Sequence, residues 1–171
     1  IFTSGGTEAD NMAILCAAKD LGVKHFVTSD IEHHAVGHAI DTAIKKYGVK
    51  LSTVKLTEKG HVDLNDLEDM LKANANVKTL VSLMHANNEV GNLLPIKKVS
   101  ELFRSYNAYF HSDTVQTMGH YPVDLANLDI DFLTCSAHKF HGPKGIGFLY
   151  VNKNLQINPL IEGGGQERGL R

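Results

Sequence analysis

Cysteine, net charge and long apolar runs are all scarce in this chain of 171 residues. Its two cysteines, Cys16 and Cys135, lie far apart and form neither a disulfide framework nor a paired-cysteine metal or redox motif, which favours a reducing compartment. A formal charge of -2 offers no electrostatic footprint for nucleic acid or an anionic membrane. No apolar run approaches the roughly 18 residues of a membrane span, and no signal-peptide pattern is found. We therefore expect a soluble, cytoplasmic protein that acts on a small molecule.

Hydrophobic residues make up 43% of the chain, which is enough to build the core of a single domain of this length. Both ends nevertheless resemble interior parts of a larger unit. The chain opens at Ile1 with what reads as the end of a strand, and it closes in a glycine-rich segment from Glu162 to Arg171. We expect residues 1–171 to be part of a longer protein.

Helix-like and strand-like segments alternate along the chain. Apolar residues recur at helical spacing in residues 7–21, 34–47, 63–73 and 95–106. Short apolar runs typical of buried strands lie at residues 24–29, 49–56, 78–84, 108–112, 132–136 and 146–151. Thr7 and Asp10 have the spacing of a capping box at the start of the first helix. The alternation predicts an α/β fold in which helices cover both faces of a mostly parallel sheet.

Chemically useful residues follow five of the predicted strands. Ligands of such sheets bind at the carboxyl ends of the strands, so we expect the five loops to converge at one edge. The residues are Gly5, Glu32 with His33, Asn87 to Glu89, Asp113, and His138 with Lys139.

Three of these loops supply the groups that pyridoxal phosphate requires. Lys139 offers an amine for a Schiff base, Asp113 a carboxylate to hold the pyridinium nitrogen charged, and Gly5-Gly6-Thr7 a glycine turn at a helix N-terminus for the phosphate. Each group also has a simpler interpretation, as a solvated surface lysine, a turn residue and a geometric glycine turn. Their occurrence together favours a cofactor site.

Neighbouring side chains extend this prediction. Ser136 and His138 can both bond a phosphate, and Gln116 can reach the phenolate oxygen of the ring. His33, at a strand-to-helix junction, can stack on a ring and exchange protons near neutral pH.

Ten histidines also raise the question of a metal. His34 and His38 have the i, i+4 spacing of a metal-binding helix. No acid lies in the zincin position between them and no third ligand is evident from the spacing, so we predict no metal site.

Six short stretches carry a resemblance to a known family. They are TSGGTEADN at residues 3–11, EH at 32–33, HANNEVG at 85–91, DTVQ at 113–116, SAHK with HGPKG at 136–145, and GGGQER at 163–168. In their order and spacing the chain resembles the cofactor-binding part of the cysteine desulfurases, pyridoxal-phosphate enzymes of the class V aminotransferase group. The resemblance covers nearly the whole chain.

The resemblance implies a fold and a role for each site residue. The fold would be the large, cofactor-binding domain of the aspartate-aminotransferase-like, fold type I enzymes, with its N-terminal start and the C-terminal small domain lying outside residues 1–171. Lys139 would be the Schiff-base lysine, and His33 would stack on the ring and help proton transfer. Asp113 would pair with the pyridine nitrogen, Gln116 with the phenolate oxygen, and Asn88 would lie beside the substrate carboxylate. The phosphate would be held by Gly6, Thr7, Ser136 and His138.

The family reaction converts L-cysteine to L-alanine and passes the sulfur to an enzyme cysteine, as a persulfide for iron–sulfur cluster or thio-cofactor synthesis. A homodimer and a sulfur-acceptor or scaffold protein are implied as partners. The family's persulfide cysteine and its substrate-binding arginine come later in the chain than the segment at Gly163. Neither Cys16 nor Cys135 matches that cysteine, and we expect both to pack in the core.

Two alternatives remain open from the sequence. A selenocysteine lyase or cysteine sulfinate desulfinase of the same group would share every residue named above. A non-enzymatic α/β binding module would use the glycine turn and the histidines for structure only.

Overall fold

Seven strands form one sheet in the computed structural model, which describes residues 1–103 and 105–171. The strands are β1 (Phe2–Thr3), β2 (His25–Thr28), β3 (Lys50–Thr53), β4 (Thr79–Ser82), β5 (Ala108–Asp113), β6 (Phe132–Ser136) and β7 (Gly147–Val151). The helices are α1 (Gly6–Asp20), α2 (His34–Tyr47), α3 (Leu64–Ala73), α4 (Ile96–Phe103) and the single turn α5 (Gln166–Gly169), with a 3-10 turn at Ala137–Lys139.

The sheet has the strand order β1-β7-β6-β5-β4-β2-β3. Strands β3, β2, β4, β5 and β6 pair in parallel, whereas β7 runs antiparallel to both β6 and β1. Strand β1 therefore points the same way as β6. As a result, β1, β2, β4, β5 and β6 all end at one edge, as the sequence predicts.

Alternating side chains bury apolar surface on both faces of the sheet. Phe26, Leu80 and Phe132 pack on one face with residues of α1 and α2. Their neighbours Val27, Val81 and Leu133 pack on the other face with residues of α3 and α4. This confirms the predicted layer of sheet between two layers of helix.

The start of α1 differs from the predicted capping box. Gly5 is the N-cap, with φ at 155°, and no side chain caps the helix. Asp10 faces the sheet instead, and its side chain is 2% exposed and close to His111. The prediction was wrong because the helix begins at Gly6, so Thr7 lies within its first turn.

Other boundaries follow the sequence more closely. Helix α2 and strand β6 have the predicted bounds, and Asp63 caps α3 with its side chain. The strands at residues 24–29, 49–56 and 78–84 are shorter than predicted. The predicted helix 95–106 is too long at its C-terminal end: α4 spans Ile96–Phe103, Arg104 lies outside the described residues, and Ser105 and Tyr106 form a turn.

None of the helices within residues 1–103 and 105–171 has both the length and the apolar character to cross a membrane.

Candidate active site

The loops at the carboxyl edge of the sheet enclose a cavity of about 470 Å³. All nine site residues predicted from the sequence line it: Gly6, Thr7, His33, Asn88, Asp113, Gln116, Ser136, His138 and Lys139. Asp10, Met84 and Val115 complete the lining.

One end of the cavity is built to receive an anion. The N-terminus of α1 lies there without a side-chain cap, so its first backbone N–H groups and its dipole are available to a ligand. A side chain at Gly6 would bring its Cβ within 2.8 Å of Val115 Cγ2, so this position has room only for glycine. Ser136 and His138 face the same end, with Ser136 Oγ 3.0 Å from His138 Nδ1.

A compact turn carries Lys139 to the edge of the cavity. The N–H groups of Phe140 and Gly142 both donate to the carbonyl of Ala137, at 3.0 and 2.9 Å. His120 Nε2 lies 3.1 Å from the Lys139 carbonyl oxygen, within hydrogen-bond distance. The Lys139 side chain is exposed, which leaves its amine accessible from the cavity.

Asp113 is the acid at the end of β5, and it is buried. One of its oxygens, Oδ1, accepts the N–H of Val115 at 2.8 Å. Burial is the main cause that raises the pKa of Asp113 well above its ordinary value, and the nearby charges of Asp10 and Glu32 act in the same direction. The charge of Lys139 and the Val115 N–H act against them. A cation placed beside Asp113 would favour the carboxylate form.

The geometry of His33 fixes its neutral tautomer. Its Nδ1 accepts the N–H of Ala35 at 3.1 Å, which caps α2. A neutral imidazole that accepts through Nδ1 carries its proton on Nε2. His33 therefore offers an N–H donor rather than a free lone pair when it is uncharged.

Asn88 is held by its neighbour, Asn87. The Asn87 side chain accepts the N–H groups of Glu89 and Val90, both at 2.8 Å, and donates to the carbonyl of Ile31 at 2.8 Å. These bonds tie the loop after β4 to the loop before α2. Asn88 itself is exposed and lines the cavity.

The sequence prediction assigned no cofactor-site role to two acids whose carboxyl groups are buried near the site, Asp10 and Glu32. Asp10 lines the cavity and its Oδ1 forms no hydrogen bond within the described residues. Glu32 Oε1 accepts from Ser29 Oγ at 2.6 Å and from the Met84 N–H at 3.0 Å, while Oε2 is buried and has no hydrogen-bond partner among the residues that the structure describes. Burial raises the pKa of Glu32 to about 8. A signal for Asp10 exists in the sequence, since it shares a helical face with Gly6, Ala13 and Ala17, all of which are buried.

The two thiols are unsuited to nucleophilic chemistry. Cys16 and Cys135 are both buried, and Cys16 Sγ lies 3.4 Å from the carbonyl oxygen of Asn158. Burial raises the pKa of each thiol to about 12, so neither forms a thiolate at neutral pH. This agrees with the prediction that both pack in the core.

The histidine pair considered for a metal lies outside this cavity. The rings of His34 and His38 stack with centroids 5.5 Å apart. In the part of the chain that the structure describes, no three His, Cys, Asp or Glu side chains are grouped to hold a metal ion.

A family model described as Aminotransferase class-V matches residues 1–169. The chain belongs to the class-V aminotransferase family. Its members are pyridoxal-phosphate enzymes.

Individual relatives of this class-V protein are named cysteine desulfurases. A cysteine desulfurase IscS from Dictyoglomus turgidum is 46% identical over 173 residues, which span 100% of this chain and 43% of the relative. One from Clostridium botulinum strain Hall is 45% identical over 172 residues, or 99% of this chain and 42% of the relative. The chain thus spans less than half the length of the curated relatives it matches.

Solved structures of class-V relatives have the same fold. A structure titled NifS-like protein superposes with a TM-score of 0.92 and 40% identity, over 100% of this chain and 47% of that one. A structure titled SspA in complex with cysteine gives a TM-score of 0.90 and 34% identity, over 100% and 49% of the two chains. These likenesses confirm the predicted α/β, fold type I class.

The cavity fits the cofactor of the class-V family. Its uncapped helix N-terminus and the glycine at position 6 suit a phosphate. Asp113 and the unpartnered Oδ1 of Asp10 suit a positively charged ring, and Lys139 supplies an amine at the rim. The residues therefore match a ligand that is anionic at one end and cationic in its ring.

Proposed function

We propose that the full-length protein is a pyridoxal-phosphate-dependent cysteine desulfurase, and that residues 1–171 correspond to part of its large, cofactor-binding domain. The observation that carries the proposal is the single cavity that unites Lys139, Asp113 and the uncapped N-terminus of α1. Identity of about 45% to curated cysteine desulfurases supports the choice of substrate.

The phosphate of the cofactor would be held at the N-terminal end of α1. The N–H groups at Gly6 and Thr7 and the hydroxyls of Thr7 and Ser136 would be its donors, and the contact between Ser136 and His138 keeps those two side chains in place. Because Gly6 carries no side chain, an anion could approach the backbone closely at this position.

The ring end of the site is set by Asp113, Gln116 and His33. With pyridoxal phosphate bound, the Asp113 carboxylate would bond the ring nitrogen and keep it protonated, Gln116 would donate to the phenolate oxygen, and His33 would stack on the ring. Lys139 would bond the cofactor covalently. When bound, the cofactor supplies an electron sink that stabilises the carbanion formed as a Cα proton leaves.

Substrate chemistry uses residues around the rim. Asn88 donates to the carboxylate of L-cysteine, Lys139 takes up and returns the Cα proton, and His33 offers its Nε2 proton to the substrate. The products are L-alanine and a persulfide on an enzyme cysteine. Because Cys16 and Cys135 are buried with a pKa of about 12, the acceptor thiol is a cysteine outside residues 1–171.

The same proposal extends to the compartment, the oligomeric state and the partner of the protein. The protein is a cytoplasmic homodimer that passes sulfur to an acceptor or scaffold protein for iron–sulfur cluster synthesis. Two unpaired thiols support a reducing compartment. Exposed apolar side chains at Val90, Leu93 and Tyr121, in loops near the cavity, support a subunit interface.

The test is an assay of the purified full-length protein with L-cysteine, L-selenocysteine and L-cysteine sulfinate as competing substrates. We expect a visible absorption band from bound pyridoxal phosphate, and release of alanine with persulfide formation from L-cysteine. Preference for either other substrate would replace the proposal with the corresponding lyase or desulfinase. Absence of both cofactor binding and turnover would favour a binding module.

A further inference from the structure

Asp10 lines the active-site cavity, but the proposed function assigns no role to its carboxylate. Its side chain is 2% exposed, and its Oδ1 forms no hydrogen bond within residues 1–103 and 105–171. A buried carboxylate oxygen without a donor destabilises a fold. If α1 only packed on the sheet, a neutral side chain at position 10 would give a more stable fold than Asp10 does.

His111 on β5 does not supply the missing bond. Its Nε2 lies 3.5 Å from Asp10 Oδ1, but the same nitrogen is 3.0 Å from Thr134 Oγ1. Its Nδ1 is 2.8 Å from Ser82 Oγ. Both ring nitrogens thus have a hydroxyl partner, and the Asp10 oxygen, which would form an ion pair with His111 only if that ring were protonated, has no hydrogen bond within the described residues.

The groups around Asp10 are mainly acidic. Asp113 at the end of β5 and Glu32 in the loop before α2 both have a raised pKa, caused first by burial and in part by the charge of Asp10. Lys139 is the one lysine or arginine among the described residues that line the cavity. Carboxyl groups therefore outnumber amines at the ring end, and a cationic ligand ring would balance the surplus.

We propose that Asp10 is a positioning residue of the cofactor site, which acts through Asp113 as a second negative charge and favours a cationic ring over a neutral one. The inference rests on the function proposed above, because the ring of pyridoxal phosphate is the cation concerned. In the cofactor-free protein Asp10 and Asp113 repel each other. In the loaded protein both attract the ring, so the same charge has opposite effects in the two states.

Asp10→Asn in the full-length protein separates this role from a structural one, because asparagine keeps the shape and removes the charge. The matched control is Asp20→Asn on the same helix, where the Asp20 oxygens accept from the backbone and side-chain nitrogens of Asn158 at 2.9 and 2.8 Å. Three quantities are measured for each variant: the melting temperature without cofactor, the dissociation constant of pyridoxal phosphate, and the titration of Asp113. Carbon-13 NMR of aspartate-labelled protein gives the titration, with Asp113→Asn to assign the signal.

We expect Asp10→Asn to melt about 2 °C higher without cofactor and to bind pyridoxal phosphate about tenfold more weakly. Its Asp113 pKa should be lower than in the wild type. Asp20→Asn should melt lower and bind the cofactor as the wild type does. An Asp10→Asn variant that is less stable or unfolded, or whose cofactor affinity and Asp113 titration are unchanged, would overturn the role of Asp10. A wild-type protein that binds no pyridoxal phosphate would instead overturn the proposed function.

Discussion

Lys139 is the residue whose substitution most directly tests the covalent link to the cofactor. Its side chain is exposed, so Lys139→Ala removes an amine without opening a cavity in the core. We expect the variant to fold with an unchanged melting temperature and to lose the visible absorption band of the lysine-bound cofactor, together with turnover. Absorption spectra and alanine release measure these effects.

The control for this experiment is Lys153→Ala, which removes an exposed lysine from the turn after β7. It should retain both the band and turnover. If Lys139→Ala kept the band, the covalent role would belong to another amine.

The stability of the protein should depend on pH through the single residue Glu32. Burial raises its pKa from an ordinary value of 4.5 to about 8, so between these values the folded state binds more protons than the unfolded state. The folded state favours the neutral carboxyl of Glu32. The contribution of this neutral form to stability is complete below about pH 4.5 and is lost as the pH rises to about 8. Glu32→Gln keeps the Oε1 acceptor for Ser29 and Met84 but cannot ionise. The variant should melt about 3 °C higher than the wild type at about pH 9 and alike at about pH 4.

Thermal melts across that pH range measure the difference. Glu58→Gln, at an exposed position, should follow the wild-type curve at every pH. An equal gap between Glu32→Gln and the wild type at both ends of the range would show that Glu32 does not titrate within it.

The sequence predicts which residues meet at the site better than it predicts their electrostatics. Lys139 and Asp113 are identified because each lies just after a predicted strand, Asp113 directly and Lys139 within one turn, and strand ends of a parallel sheet share an edge. Asp10 was assigned to a capping box, since helix spacing alone does not say which face turns inward. The raised pKa of Glu32 depends on burial by distant parts of the chain, which no local pattern reports.

Among secondary-structure elements, helices with end signals were predicted best. α2 ends at Gly48, which has a φ of 64°, and Asp63 caps α3, so local chemistry sets both positions. Strand ends depend on pairing, and β2 begins and ends with its parallel partner β3. The antiparallel pairing of β1 with β7 joins opposite ends of the chain and has no local signature.

Gly147 at the start of β7 controls how these strands pack. It pairs with Thr3 of β1 and with Ser136 of β6. A Cβ there would collide with the Cys135 carbonyl oxygen and lie 2.9 Å from Gly5 Cα. We expect Gly147→Ala to lower the free energy of unfolding by about 2 kcal/mol. It should also weaken pyridoxal-phosphate binding, because Gly5 and Ser136 flank the phosphate end.

Gly37→Ala is the matched control, since Gly37 lies inside α2 with no atom within 4 Å of an added Cβ. It should raise the free energy of unfolding by about 0.5–1 kcal/mol, because alanine favours the helix. Denaturant unfolding of both variants gives the comparison. If both substitutions changed the free energy of unfolding in the same direction, the close contacts of Gly147 would not explain why glycine is needed there.

At the scale of the whole molecule, large apolar side chains are exposed in a loop beside the cavity. Val90 and Leu93, in the loop that carries Asn88, are 67% and 40% exposed. Exposed apolar side chains that lie together on a surface are typical of a protein–protein interface. We expect the wild-type full-length protein to have the mass of two chains by light scattering, and the variant Val90→Asp/Leu93→Asp to have the mass of one, since two buried like charges would oppose association.

The control is Leu125→Asp, at a 38% exposed leucine in another loop, which should remain a dimer. A wild-type mass of one chain would contradict the homodimer, and a dimeric double variant would place the interface on another surface.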